Sequence, residues 1–204
     1  RRDRESAWQE LQGSLKRLGT DRVDLYQMHG LGDEEVEQAL GPGGALEAFL
    51  KARQEGRARF LGFSSHSPKA ALAAISSGLF DTVLFPVNFV LHFSSQFEVP
   101  VVAEARRRGM GILAIKALAR RRWPQGVDRS TYRNCWYQPV DDRETASLAL
   151  SWALEQGVTA VVPPGDISLV KMAIELAPLC GPLTEQERRR LAEIAAHLPP
   201  IFPK

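Results

Sequence analysis

The chain has 204 residues, of which 44% are hydrophobic and 25% are charged, and its net charge is +2. This composition is ordinary for a globular protein with a large apolar core, and so small a net charge gives no reason to expect nucleic acid as a partner. The sequence shows no signal peptide and no apolar run of about 20 residues, which favours a cytoplasmic protein without membrane contact. It also contains no CxxC pair, so we expect Cys135 and Cys180 to be free thiols, with no disulfide framework and no bound metal.

Helical patterns alternate with short apolar runs along the chain. The helical patterns cover residues 5–18, 45–55, 68–77, 98–108, 142–156, 166–177 and 184–197. The apolar runs predict strands over residues 22–28, 59–63, 81–87, 111–116 and 159–162. The intervening segments 30–44 and 119–140 predict long loops, the first with room for a helical turn.

Short strands that are apolar on both faces and separated by helices indicate a parallel sheet covered by helices. Neither GxGxxG nor GxxxxGK[ST] follows any of the strands, so a Rossmann or P-loop site has no support. The other arrangement of repeated βα units is the (β/α)8 barrel, which five strands cannot close. We therefore predict an α/β fold of the TIM-barrel type that is incomplete in this chain, with residues 1–204 forming a single domain.

Each predicted strand ends in polar or turn-forming residues. In chain order these are His29, then Ser64, Ser65 and His66, then Asn88, then Lys116, then Pro163, Pro164, Gly165 and Asp166. In a (β/α)8 barrel the active site lies at the carboxyl ends of the strands. The pattern therefore predicts that His29, Ser64, Asn88 and Lys116 line one cleft.

Five segments resemble consecutive units of the aldo-keto reductase family. They read SLKRLGTDRVDLYQMHG, GALEAFLKARQEGRARFLGFSSH, FDTVLFPVNF, GILAIKAL and LALSWALEQGVTAVVPPG. Their order and spacing match the family between about residue 5 and about residue 197. The resemblance is nearest to the bacterial branch related to iron–sulfur-containing aldo-keto reductases, whose cysteine motif this chain lacks, so we expect no cluster.

The resemblance implies an oxidoreductase that transfers hydride from NADPH, favoured over NADH, to the carbonyl carbon of an aldehyde or ketone. His29 matches the family histidine that positions the carbonyl oxygen. The family's general-acid tyrosine and the lysine and aspartate that tune it lie on its first three βα units. We expect those units, about 80 residues, to precede residue 1 in the full protein.

The cofactor contacts implied by the resemblance lie at the strand ends. Ser64 and Ser65 stand at the positions of a Ser-Asn pair that binds the nicotinamide carboxamide, and Ser65 departs from the asparagine of that pair. Lys116 replaces a serine near the pyrophosphate, where an ammonium would meet an anion. The full implied cofactor-binding set is Ser64, Ser65, Lys116, Ala117, Leu118, Pro164, Gly165 and Asp166.

Several positions depart from the family pattern. Leu84 and Ile115 stand where the family has a glutamine and an aromatic against the nicotinamide, and the carboxylate of Asp166 would repel a 2′-phosphate, which leaves NADPH and NADH both open. Asn88 and Trp123 are the implied substrate contacts. Trp123, together with Trp136 and Tyr137 of the loop 119–140, either lines an apolar substrate site or closes the barrel rim by packing.

Two other functions stay open. The unusual nicotinamide contacts favour a non-catalytic binding or regulatory protein on the reductase fold, which an upstream Asp, Tyr and Lys would argue against. A metal-dependent barrel hydrolase would use His29, His66 and His92, with Lys116, at strand ends. Against it, the chain contains no HxH and no carboxylate at its first four strand ends.

Overall fold

A computed structural model describes residues 2–202 of the chain. Its helices are α1 Arg4–Leu18, α2 Val36–Leu40, α3 Ala45–Gln54, α4 Pro68–Ser76, α5 Phe89–Ser95, α6 Val99–Arg107, α7 Arg143–Glu155, α8 Ile167–Leu176 and α9 Glu185–Ala196. Its strands are β1 Val23–Met28, β2 Ala58–Ser64, β3 Thr82–Pro86, β4 Gly111–Ile115, β5 Ala119–Arg122, β6 Tyr137–Pro139 and β7 Ala160–Val161. Within the described range, none of these helices has both the length and the apolar character needed to cross a bilayer.

The chain divides into two compact units, and the first contains the residues up to Leu84 together with Glu104–Gly111. Here β1 pairs in parallel with β2, and β2 pairs in parallel with β3. The register sets Met28 opposite Phe63, so β1 and β2 end at the same level. The apolar faces of α3 and β2 supply much of this unit's core, in which Phe49, Leu61 and Phe63 are buried.

Gly62 permits close packing in the middle of this sheet. A Cβ at this position would collide with Oγ1 of Thr82 on one neighbouring strand and would lie 3.0 Å from Cγ of Gln27 on the other. Only glycine therefore fits between these two side chains without displacing them.

The second unit contains Phe85–Ala103 and the residues from Ile112 onward. In it β4 pairs in parallel with β7, and the N–H of Val87, just after β3, donates to the carbonyl of Ile115 at 3.0 Å. Helix α7 begins at its N-cap Asp142 and contributes buried residues on several sides, including Trp152. A separate antiparallel pair, β5 with β6, lies in the same unit.

Most predicted elements are present within one or two residues of their expected bounds, but one helix was not predicted and one prediction was wrong. Residues 89–95 form helix α5, because the side chain of Asn88 caps it and Phe89, Val90 and Leu91 pack into the core. The aromatic and β-branched run there resembles a strand when read alone. The segment 119–140 is not loop throughout, because the basic strand β5 pairs with the distant β6.

Candidate active site

His29 directly follows β1, and its side chain is exposed to solvent. The next residue, Gly30, has φ of 63°, a left-handed conformation that glycine adopts at little cost. Its N–H donates to Ser64 Oγ at 2.7 Å, and the N–H of Leu31 donates to the Ser64 carbonyl at 2.8 Å. The first unit thus brings His29 and Ser64 together at the ends of adjacent strands, while the cleft predicted for His29, Ser64, Asn88 and Lys116 stays a prediction.

A cavity of about 260 Å³ opens beside His29 in the first unit. Its lining combines the charged side chains of Arg2, Glu10 and Glu35 with the ring of Tyr26. Burial raises the pKa of the Tyr26 hydroxyl, which is therefore neutral and able to donate a hydrogen bond at physiological pH. The cavity therefore has positively and negatively charged side chains next to the exposed imidazole of His29.

Ser65 has a structural environment different from that of Ser64. It is fully buried, and its hydroxyl donates to the carbonyl of Leu31 at 2.7 Å while accepting from the N–H of Ser67 at 3.0 Å. These bonds join the loop after β1 to the N-cap of α4. The Ser65 hydroxyl is therefore occupied within the protein.

Lys116 directly follows β4 and has an unusual backbone conformation, with φ of 69°. Left-handed backbone at a non-glycine residue costs roughly 1–2 kcal/mol and is found disproportionately at functional sites. Its ammonium lies 5.2 Å from the centre of the Trp136 ring and 4.9 Å from that of Tyr137. Burial lowers the pKa of this ammonium, and none of the ion pairs among residues 2–202 includes it.

Asn88 fixes the backbone around Lys116. The side chain of Asn88 is 1% exposed, and its amide donates to the carbonyls of Lys116 at 2.9 Å and of Ala119 at 2.7 Å. Its carbonyl oxygen accepts from the N–H of Leu91, in the first turn of α5. The second unit therefore brings Asn88 and Lys116 together, with both amide N–H groups of Asn88 used by backbone oxygens.

The remaining predicted cofactor residues lie in the second unit. Ala117 and Leu118 are buried directly after Lys116, as is Pro164 before α8, whereas Gly165 is exposed. Asp166 is the N-cap of α8 and accepts from the N–H of Ser168 at 2.9 Å. Hydrogen bonds from the Ser168 hydroxyl and N–H lower the pKa of the Asp166 carboxyl, which is charged at neutral pH.

Trp123, the other predicted substrate contact, is half-buried, and its indole N–H donates to the carbonyl of Cys135 at 2.8 Å. This bond fixes the ring within the segment that follows β5. The Cys135 thiol is buried, and burial raises its pKa. Trp123 is thus held in one orientation by the chain itself.

The interpretation of His92 as a strand-end metal ligand was wrong. His92 lies inside α5, where its Nδ1 is 2.5 Å from Oε1 of the buried Glu98 and its ring packs against Trp152. His66 is exposed after β2. Over residues 2–202, no three side chains of His, Cys, Asp or Glu come together in a way that could hold a metal ion.

One contact at the site was not found by sequence reasoning. The guanidinium of Arg2 donates to the carbonyls of His29 and Gly30. No motif marks this arginine, since it stands in a charged stretch before α1 that reads as solvated surface. Its contact with the end of β1 spans 27 residues of sequence and depends on the tertiary fold.

A family description, "Aldo/keto reductase family", matches residues 1–133, well over half of the chain. The chain belongs to the aldo/keto reductase family. A curated relative, "Probable aldo-keto reductase 1" of Glycine max, is 22% identical over an alignment 205 positions long, which covers 88% of this chain and 57% of the relative. The chain thus spans a little over half the length of that curated relative.

Solved structures of aldo-keto reductases resemble this fold. The holo form of an aldo-keto reductase from Bacillus halodurans superposes with a TM-score of 0.65 at 20% identity, covering 94% of this chain and 67% of that one. The glycerol dehydrogenase of Gluconobacter oxydans gives 0.60 at 21% identity, with 96% and 66% covered. A Bombyx mori aldo-keto reductase in complex with NADP gives 0.60 at 19% identity, with 94% and 64% covered.

These comparisons confirm the family predicted from the five sequence segments and an α/β fold with a parallel sheet. That this sheet is part of a (β/α)8 barrel lacking its first three strands stays a prediction.

Proposed function

We propose that the protein containing this chain reduces the carbonyl group of an aldehyde or ketone to an alcohol, with a nicotinamide dinucleotide as hydride donor. The observation that carries this proposal is the exposed imidazole of His29, held at the carboxyl end of β1 by the bond from Gly30 to Ser64. Membership of the aldo/keto reductase family supports the same reaction.

In the proposed reaction His29 positions the substrate. An imidazole N–H donates to the carbonyl oxygen, and this bond strengthens as negative charge develops there. The Gly30 turn and the Ser64 hydroxyl fix the backbone that carries the imidazole, so little reorganisation is needed when substrate binds. The nicotinamide, when bound, supplies the hydride, and the general acid is expected outside residues 1–204.

The second unit offers groups that fit the shared part of either dinucleotide. The half-buried ammonium of Lys116, placed over two aromatic rings, suits a pyrophosphate anion. Asn88 supports that position through the carbonyl of Lys116, and Trp123 is proposed as an apolar wall for the substrate. The charged Asp166 disfavours a 2′-phosphate, whereas the Bombyx mori relative is in complex with NADP, so NADPH and NADH are both candidates.

A second function is a binding protein that holds a dinucleotide without turnover. The engagement of the Ser65 hydroxyl with Leu31 and Ser67 favours it, since that hydroxyl would have to exchange partners to contact a carboxamide. Both functions require that the protein binds a dinucleotide, but only the reductase converts a carbonyl substrate.

The experiment uses the full-length protein, with NADPH and NADH tested separately against a panel of aldehydes and ketones. We expect saturable cofactor binding and turnover, and we expect His29→Gln to lower kcat about 100-fold or more with an unchanged cofactor Kd. His66→Gln is the matched control, because His66 is also exposed after a strand of the same sheet, and it should stay within twofold of wild type. Binding without turnover would favour the second function, and full activity in His29→Gln would remove His29 from the mechanism.

A further inference from the structure

The side chain of Arg2 is only 15% exposed, which is unusual for an arginine so near the start of α1. Its Nη2 lies 3.0 Å from the carbonyl oxygen of His29, 2.9 Å from that of Gly30 and 2.9 Å from Oε2 of Glu35. The first two acceptors are the peptide oxygens at the point where β1 ends. The guanidinium therefore binds the backbone that carries the proposed substrate-positioning imidazole.

Arg2 is itself fixed at its backbone. Its carbonyl accepts from the N–H of Ala45, the first residue of α3, at 2.7 Å, and the N–H of Arg4 donates to the carbonyl of Gly43 at 2.9 Å. The arginine thus joins the start of α3 to the end of β1. Because the backbone of Arg2 is already fixed by these bonds, only the side chain has to be ordered when the guanidinium binds its acceptors.

Glu35 completes the arrangement by accepting from the same guanidinium nitrogen, Nη2 of Arg2. Besides pairing with Arg2, its Oε2 accepts from the N–H of Gly32 at 3.2 Å. The hydrogen bond from Arg2 lowers the pKa of the Glu35 carboxyl, which keeps it charged at neutral pH. The carboxylate therefore ties Arg2 to the loop that continues from His29.

The turn at Gly30 is held from two directions. Ser64 Oγ accepts from its N–H, and Arg2 donates to the carbonyls of His29 and Gly30. Two independent groups therefore fix the peptide units that follow the His29 Cα.

We propose that Arg2 is a positioning residue for His29, which sets the direction of the imidazole by holding the two peptide carbonyls at the end of β1. The inference rests on the proposed reductase function. Arg2 does not touch substrate in this proposal, so its removal should act only through His29. That dependence separates a positioning role from a general contribution to stability.

The test is a double-mutant cycle in the full-length protein, with Arg2→Gln, His29→Gln and the double variant. We expect Arg2→Gln to lower kcat/KM for the carbonyl substrate about tenfold or more at unchanged cofactor Kd, and to cause no further loss when His29 is already Gln. Arg4→Gln is the matched control, because the ion pair of Arg4 with Glu47 is exposed and lies on the same segment, and it should stay within twofold of wild type. An equal loss from Arg2→Gln in both backgrounds, or no loss at all, would overturn the inference.

Two further measurements test whether Arg2 holds the turn at Gly30: the activity of Arg2→Lys and the amide hydrogen exchange of Arg2→Gln. A lysine keeps a positively charged donor, but its side chain is shorter and its ammonium can reach only one of the two carbonyls, so Arg2→Lys should recover part of the lost kcat/KM. In Arg2→Gln the amides of Gly30 and Leu31 should exchange faster, while the amide of Leu61, bonded to Asp81, is unchanged. If wild type binds cofactor without turnover, the reductase proposal fails while these exchange rates still decide whether Arg2 holds the turn. Unchanged rates at Gly30 and Leu31 would then overturn it.

Discussion

The side chain of Asp166 has two effects, one on the stability of α8 and one on the charge near the proposed cofactor site. As the N-cap of α8 it stabilises the helix by accepting from Ser168. As a carboxylate with a lowered pKa it places a negative charge where the resemblance implies the adenosine end of the cofactor. A serine would keep the cap and remove the charge, so the two roles can be separated by one substitution.

Asp166→Ser is expected to improve the affinity for NADPH relative to NADH by about tenfold, because one like charge near the 2′-phosphate is removed. The measurement is a pair of fluorescence titrations at fixed ionic strength. Asp142→Ser, at the N-cap of α7, removes the same charge from another helix start and should leave the ratio of the two Kd values unchanged. An unchanged ratio in Asp166→Ser would place the 2′-phosphate elsewhere.

The sequence indicated where the predicted site residues lie in the fold, but it did not indicate which groups they form hydrogen bonds with. His29 and Ser64 lie at adjacent strand ends, as expected from a shared sheet edge. Nothing in the local sequence shows that the Ser65 hydroxyl is bonded to Leu31, because that partner lies 34 residues away. Hydrogen-bond partners at such separations follow from the tertiary fold.

The strands of the first unit depend on close packing at Gly62. Because a Cβ there would collide with Thr82 and crowd Gln27, the alanine variant must displace side chains on both neighbouring strands. Sequence reasoning placed Gly62 inside a strand but gave no reason for its identity, since the crowding comes from two other strands.

Gly62→Ala is expected to destabilise the protein by about 1–3 kcal/mol, the usual cost of overpacking. The matched control is Gly13→Ala, in the middle of α1, where the new Cβ would meet only the flexible guanidinium of Arg17 at 3.1 Å. That change should stabilise by about 0.5–1 kcal/mol, because alanine favours helix. Urea unfolding measures the change in the free energy of unfolding of each variant. An unchanged free energy in Gly62→Ala would contradict the packing argument.

Elements with their own start and stop signals were predicted well. Helix α9 begins with the capping box of Thr184 and Glu187, and α1 ends at Gly19 with φ of 66°. Helix α5 and the strands β5 and β6 were missed, because their conformation depends on what they pack against. The run Arg120–Arg122 has no alternating pattern of its own and is a strand only beside β6.

Two carboxylates that accept hydrogen bonds from arginines, those of Glu104 and Glu35, favour the folded state at neutral pH. Hydrogen bonds from Arg107 and Arg108 lower the pKa of Glu104 to about 2, and the bond from Arg2 lowers that of Glu35. A group whose pKa is lower in the folded state binds a proton more readily when unfolded. Its contribution is therefore complete above its unfolded pKa, which is 4.5 for these glutamates, and is lost as the pH falls through the folded value.

We accordingly expect the free energy of unfolding to fall steadily between pH 4.5 and about pH 2. Urea denaturation at a series of pH values measures this slope. Glu104→Gln should make the slope shallower over this interval, because one group with a shifted pKa has been removed. Glu5→Gln, in the first turn of the exposed start of α1, is the control, and an equal change of slope in it would contradict the assignment to Glu104.

The sequence by itself determined the alternation of helices and strands, the polar strand ends and the family, because these depend on local periodicity, caps and motif order. Only the tertiary structure decided what those strand ends contact: the aromatic rings beneath Lys116, the backbone carbonyls bound by Asn88 and the guanidinium that holds His29. These contacts join residues far apart in the chain, and the free energy that selects them comes from packing and burial of the whole fold. Neither local periodicity nor a short motif therefore predicts these contacts.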